Sequence, residues 1–272
     1  MNILTSDLQI PALKYSGSEA SHAAYPTPSV EPGFLVIGHR GACGHEPENT
    51  IASIYKALAL GVKAIEIDVY QTTDGELMVM HDETVDRTTN GTGRTSEKSS
   101  TELRALRIKH KGEVLEATFV PFLREIIDCL PADVKLNVEL KGAGTAAPLA
   151  AYLGSLSQEK LSQINVSSFD HPELLAFGKL MPTVPLGILY YGIPVNLDGD
   201  LSCFPDSVAS INVSDDFISA DLVKNAHEHG KKVYVYTINT PAALRRMMNL
   251  QVDGVSADYP DRINAELAQG SN

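Results

Sequence analysis

Eight short runs of strand-forming residues, separated for the most part by stretches of helical period, constrain this chain more than any other feature of it. The runs fall at 34–37, 64–70, 134–140, 164–169, 186–190, 208–213, 232–238 and 254–256. Helical stretches, several opened by Ser, Thr or Asp, lie at 50–60, 122–130, 146–157, 172–180, 219–229, 242–250 and 261–268. A strand followed by a helix reaches its neighbour by a crossover, so the pairing is parallel. Eight such units in about 240 residues fit a closed (β/α)8 TIM barrel, an α/β fold, better than an open doubly wound sheet.

Two stretches break the rhythm. Residues 192–205, where a helix is due after the fifth strand, read as loop. The segment 83–118 carries Asn90-Gly91 and Gly93 turn signals and a short helical piece near 101–107, so it reads as a small insertion after strand 2, over the barrel rim. Residues 1–32 show no period and are expected to form an N-terminal arm, with residues 33–272 making one barrel domain.

A formal charge of -12 and no run of Lys or Arg argue against a nucleic-acid partner. A small anionic substrate stays compatible where positive charge gathers locally. Cys43, Cys129 and Cys203 are odd in number and widely spaced, which suits reduced thiols in a cytoplasmic protein. Met1 to Leu8 lack a basic and apolar leader pattern, and no stretch reaches eighteen apolar residues, so neither a secretion signal nor a membrane span is expected.

In a parallel barrel, reactive groups sit at the carboxyl ends of the strands. His39 and Arg40 follow the first strand, Glu66 and Asp68 end the second, Glu139 and Lys141 end the third, and Asp258 follows the eighth. Side chains at i and i+2 share a face, so Glu66 and Asp68 are placed to grip one ion, with Glu139 as a third ligand from the next strand. An all-oxygen set favours Mg²⁺ or Ca²⁺ over Zn²⁺. With one divalent ion, those carboxylates, Arg40 and Lys141 sum to about +1, a charge that a phosphodiester monoanion brings near neutrality. Adding His39 and His81 completes an inventory for metal-assisted cleavage of a phosphate ester. Plainer readings stand beside this one: Glu139 and Lys141 as an internal salt bridge, Arg40 as a brace for a carboxylate, Tyr236 as packing under a helix, Asp82 and Asp258 as hydrogen-bonding groups at turns and strand ends.

The ordered set His39-Arg40-Gly41, Pro47-Glu48-Asn49-Thr50, Glu66-x-Asp68-Val69, Thr73-Asp74-Gly75, His81-Asp82, Arg87-Thr88-Thr89-x-Gly91-x-Gly93, Glu139-x-Lys141, Ser168-Phe169 and Tyr236-Thr237-Ile238-Asn239 resembles the glycerophosphodiester phosphodiesterase family. The resemblance implies a (β/α)8 barrel with a small insertion, one divalent cation, and hydrolysis of small-molecule glycerophosphodiesters to sn-glycerol 3-phosphate and an alcohol. By the same resemblance His39 and His81 are the acid/base pair, Glu66, Asp68 and Glu139 the metal ligands, and Arg40, Lys141 and Tyr236 substrate-binding residues. Two positions depart from the family pattern: Tyr236 stands where Trp is frequent, and Ala257 where Thr is frequent. Water and the glycerol C2 hydroxyl both remain as first nucleophile. The alternatives are a lysophospholipase D type activity on acylated lipids, or a non-catalytic barrel that binds phosphate esters.

Overall fold

The computed structural model describes residues 33–270, and the expected arm over residues 1–32 lies outside them. In chain order the strands are β1 Leu35–Gly38, β2 Ala64–Gln71, β3 Leu77–Val79, β4 Ile108–His110, β5 Glu113–Leu115, β6 Lys135–Leu140, β7 Ile164–Ser168, β8 Leu186–Tyr190, β9 Val208–Ser214, β10 Lys232–Tyr236 and β11 Gly254–Ala257. Parallel pairing runs from β1 through β2, β6, β7, β8, β9, β10 and β11 and back to β1, so the sheet closes on itself. Helices separate these eight strands, and the fold is a (β/α)8 barrel.

Strand alternation divides the residues between two environments. In β2, Ile65, Ile67 and Val69 point outward into a continuous apolar layer shared with the helices, and the corresponding positions of β6 are Leu136, Val138 and Leu140. The opposite parity of β2 holds Ala64, Glu66 and Asp68. Barrel lumens are commonly filled by branched apolar side chains. Here the lumen wall includes Asn137, Asn165, Ser210, Asn212, Tyr234 and Ser256, so the core lies outside the barrel wall.

Three differences from the sequence reading have local causes. A helix, Leu197–Ser202, occupies the stretch read as loop; it is one and a half turns long, buries only Leu197, and is capped by Asn196, whose Oδ1 accepts from Gly199 N at 3.0 Å. No apolar period develops in so short a piece. β2 runs one residue beyond the expected 64–70, to Gln71, because β3 folds back antiparallel onto it, pairing Val69 with Val79 and Gln71 with Leu77. The helical stretch 146–157 ends at Gly154, and a separate turn, Gln158–Leu161, starts behind a Ser157 cap.

The segment after β3 packs over the rim on a satellite core that includes Met78, Met80, Val85, Leu103 and Val120. Within it lie the helix Ser100–Ala105, closed by a Ser99/Glu102 capping box, and the β4–β5 hairpin. Among the described residues, no helix is long and apolar enough to cross a membrane.

Candidate active site

The chain leaves β1 through a tight left-handed turn, with φ of 50° at Arg40 and 85° at Gly41. A Cβ on Gly41 would lie 2.4 Å from Ser53 Oγ, so glycine is required on steric as well as dihedral grounds. Ser53 belongs to the helix Ile51–Ala59, and its hydroxyl donates to the Arg40 carbonyl at 2.8 Å, fastening the turn to that helix. The turn aims the Arg40 amide at Glu66, whose Oε2 accepts at 3.1 Å.

Glu66 and Asp68 share the inward face of β2, and register sets Asp68 directly beside Glu139 of β6. The carboxylates of Glu66, Asp68 and Glu139 each offer an oxygen within 4.8 Å of the others, and all three residues are buried. Burial drives the Glu66 carboxyl well above the usual carboxylate range, with Asp68 and Glu139 adding to the effect. Glu139 is pushed up to about 7, by burial first and then by Asp68, while Lys141 and Arg40 pull the other way. Three acids at this spacing need a counter-charge to be ionised together.

The partners of Asp68 are unequal. Its Oδ2 accepts from Asn49 Nδ2 at 2.8 Å and lies 3.6 Å from Arg40 Nε, whereas its Oδ1 is buried without a hydrogen-bond donor. Lys141 Nζ is 3.7 Å from that Oδ1 and donates to Glu139 Oε1 at 2.8 Å. A buried carboxylate oxygen with no donor, flanked by two further carboxylates, fits a hard cation with oxygen ligands.

Each of the two imidazoles is backed by a carboxylate. His39 Nδ1 lies 2.6 Å from Asp258 Oδ1, and His81 Nδ1 lies 2.7 Å from Asp82 Oδ1. Asn239 holds the other oxygen of Asp258 at 2.7 Å. Burial opposes charge on Asp258, yet the hydrogen bonds from His39 and Cys43 keep its carboxyl well below the usual range. Behind Asp82 stands Arg87, donating from Nε at 2.6 Å; the same guanidinium reaches both oxygens of Glu48, at 2.6 and 2.7 Å. Glu48 also accepts from Arg40 at 2.7 Å, so an unbroken ionic chain runs from Arg40 through Glu48, Arg87 and Asp82 to His81. Burial works against Glu48, but Arg87 and Arg40 together bring it down to about 2. For His81, burial lowers the basicity; Asp68 offsets part of this and the Arg40 and Lys141 charges reinforce it.

These groups meet at a cavity of about 490 Å³, with His39, Arg40, Glu66, His81, Glu139 and Tyr236 in its wall. Asp68 lies beneath the wall, 1% exposed. Of the two readings of Tyr236, the wall position is the observed one; its hydroxyl donates to the Tyr190 carbonyl at 2.8 Å, and its ring meets Phe169 edge-on at 5.9 Å. Ser168 is a strand-end group, donating to the Leu140 carbonyl at 2.8 Å.

The Glu48-Asn49-Thr50 triplet splits its work between a helix cap and the site. Thr50 caps the helix, Asn49 holds Asp68, and Glu48 joins two arginines. Asp258 is the strand-end hydrogen-bonding group that the sequence suggests, here backing His39, and Arg87 adds a brace to Asp82 that residue type alone does not point to. In the sequence, Arg87 is marked only by its place in an ordered motif, and Asp258 only by its position at a strand end.

A parallel barrel whose carboxyl rim gathers three acids, two carboxylate-backed imidazoles and two cations defines a hydrolase acting on phosphate esters. The chain belongs to the glycerophosphoryl diester phosphodiesterase family, whose model matches residues 39–262. It is 32% identical over 239 residues to a glycerophosphodiester phosphodiesterase of Caldanaerobacter subterraneus subsp. tengcongensis, covering 84% of this chain and 96% of the relative. A Bacillus altitudinis glycerophosphodiester phosphodiesterase is 31% identical over 235 residues, covering 84% of this chain and 95% of that one. The solved structure of an Oleispira antarctica phosphodiesterase, in complex with the product sn-glycerol-3-phosphate, superposes with a TM-score of 0.77 at 30% identity, covering 86% of this chain and 96% of that chain.

Proposed function

We propose that this protein hydrolyses glycerophosphodiesters to sn-glycerol 3-phosphate and an alcohol, with His39 and His81 as general acid and base. The observation that carries this reading is the convergence of both imidazoles, Glu66 and Glu139 on one cavity, with Asp68 completing the carboxylate triad beneath its wall. Glu66, Asp68 and Glu139 would hold one divalent cation, Mg²⁺ or Ca²⁺, because the donors are all oxygen. When bound, such an ion supplies Lewis-acid polarisation of a phosphoryl oxygen.

The remaining work belongs to the chain. Arg40 and Lys141 place positive charge beside the phosphate and stabilise the charge that builds on its oxygens. Engagement of Nδ1 by Asp258 and Asp82 leaves Nε2 of each histidine for the substrate side. One imidazole accepts the proton of the attacking hydroxyl, and the other delivers a proton to the departing alkoxide. Tyr236 and Phe169 wall the space for the glycerol or alcohol part. Three free thiols favour the cytoplasm as the place of reaction.

A coupled assay of glycerol 3-phosphate release from glycerophosphocholine, run after chelation and again with Mg²⁺ or Ca²⁺ restored, tests the reading. Turnover that survives chelation, or no turnover with either ion, would sink it. One observation favours acylated lipids as a second substrate class: Phe169, Tyr191, Ile193 and Val195 expose 40, 77, 64 and 103% of their surface, and the first two line the cavity. The rate on lysophosphatidylcholine relative to glycerophosphocholine decides between the two.

A further inference from the structure

At the Nδ1 edge of His39 lies a second group of donors, distinct in chemistry from the carboxylate triad. Cys43 Sγ is 2.9 Å from Asp258 Oδ1 and 3.9 Å from His39 Nδ1, and that Nδ1 is 2.6 Å from the same Oδ1. One nitrogen, one sulfur and one oxygen thus face a common point. Asn239 occupies Asp258 Oδ2 at 2.7 Å, which turns Oδ1 toward the other two donors and fixes the carboxylate, the part an outer partner plays in a metal site. The group is accessible from two sides: His39 lines the main cavity, and Cys43 lines a neighbouring one of about 350 Å³ beneath the β4–β5 hairpin.

We propose that His39, Cys43 and Asp258 form an inhibitory site for a borderline-soft divalent cation of the Zn²⁺ class, separate from the all-oxygen triad. In a tetrahedral site with metal–sulfur bonds near 2.3 Å and metal–nitrogen or oxygen bonds near 2.0–2.1 Å, donors stand about 3.3–3.6 Å apart. The three separations here reach that spacing with shifts of less than about 1 Å, and water completes the fourth position. Thiolate and imidazole select such an ion over Mg²⁺ or Ca²⁺, which the carboxylate triad suits instead.

The inhibitory part rests on the acid/base reading of His39; the site itself does not. Without metal, the Nδ1 proton is shared with Asp258 and Nε2 has a lone pair. On binding, the ion takes the Nδ1 lone pair, the thiol proton leaves to solvent, and the imidazole proton moves from Nδ1 to Nε2. The ring stays neutral, but Nε2 now carries a proton and cannot accept another. The ion therefore blocks a proton transfer without entering the cavity where substrate sits.

The test uses the full chain with saturating Mg²⁺ and Co²⁺ as a spectroscopic stand-in for Zn²⁺. The expected result is a thiolate-to-cobalt charge-transfer band in the near ultraviolet, lost in Cys43→Ser and kept in Cys129→Ser/Cys203→Ser. The concentration of Zn²⁺ that halves glycerol 3-phosphate release should rise about tenfold or more in Cys43→Ser, through loss of one of the three protein ligands. A band that persists in Cys43→Ser, no band in the wild type, or equal Zn²⁺ sensitivity of both proteins overturns the proposal. If the wild type releases no product with Mg²⁺ or Ca²⁺, the hydrolase reading fails on its own, and the cobalt band still decides the site.

Discussion

Asp68 and Glu139 occupy paired positions on neighbouring parallel strands, so their carboxylates stand side by side on the lumen face with Glu66 one step away. Closeness of this kind is unfavourable until a cation joins it. A divalent ion bound at about a hundred times its dissociation constant adds about 2.7 kcal/mol of stability, or roughly 5–10 °C in Tm for a chain of this size. Differential scanning fluorimetry with Mg²⁺ or Ca²⁺ should show that rise in the wild type and lose it in Asp68→Asn; an unmoved Tm in the wild type would remove the case for the ion.

The same acids set a pH dependence in the metal-free protein. Glu139 is raised from 4.5 to about 7, so between those values the folded state holds a proton that the unfolded state has released. Stability contributed by this group is present below pH 4.5 and is lost as pH rises through about 7. Glu48 acts in the opposite sense: lowered from 4.5 to about 2, it stabilises above pH 4.5, and that contribution is lost on acidification toward 2. Urea titrations from pH 4.5 to 7.5 with chelator present should show a downward slope that Glu139→Gln flattens.

Removing either imidazole should leave the barrel intact and stop the chemistry. His39→Ala and His81→Ala are each expected to lower kcat about 10²–10⁴-fold, with unchanged circular dichroism. Asp258→Asn should act in the same direction by less and distort the pH–rate profile, because the change falls on the orientation of His39. Wild-type rates in either alanine variant would reverse the assignment.

Arg87 is half exposed, so its ion pairs count for little in stability, about 1 kcal/mol, yet it braces both Glu48 and Asp82. Arg87→Ala is expected to lower kcat about tenfold with a small change in Tm, as Asp82 loses its anchor behind His81. Arg87→Lys should not restore the rate, since one ammonium cannot span two carboxylates as the fork does.

Much of the barrel is legible in the sequence because each strand buries its outward face against the helices, so short β-type runs recur between stretches of helical period. β8, Leu186–Tyr190, ends where its residues suggest. The three-residue strands β3, β4 and β5 escape notice because no period can be seen in three residues. For the site, residue type and strand position point to His39, Glu66, Asp68 and Glu139, whereas His81, which follows a strand too short to read, is marked by its residue type and its place in the ordered motif. Asp258 was harder: the group it serves lies 219 positions away in sequence, and only closure of β11 onto β1 brings the two together. Glu48 likewise meets Arg87 across 39 positions, through an insertion whose path has no signature in its composition.

Gly41 shows how little freedom the turn leaves. Gly41→Ala places a methyl group against Ser53 at a φ of 85°, and a loss of about 2 kcal/mol or more is expected in denaturant titrations. Arg40 and Glu66 would separate as the turn opens, so activity should fall with stability.

The asparagines and serines facing the barrel axis have an evolutionary consequence. Cohesion of this chain resides in the ring between wall and helices, so Asn165 or Ser210 can be replaced while the adhesive that keeps the strands together stays untouched. The inside of the barrel is thereby free to change without each trial being a wager on folding.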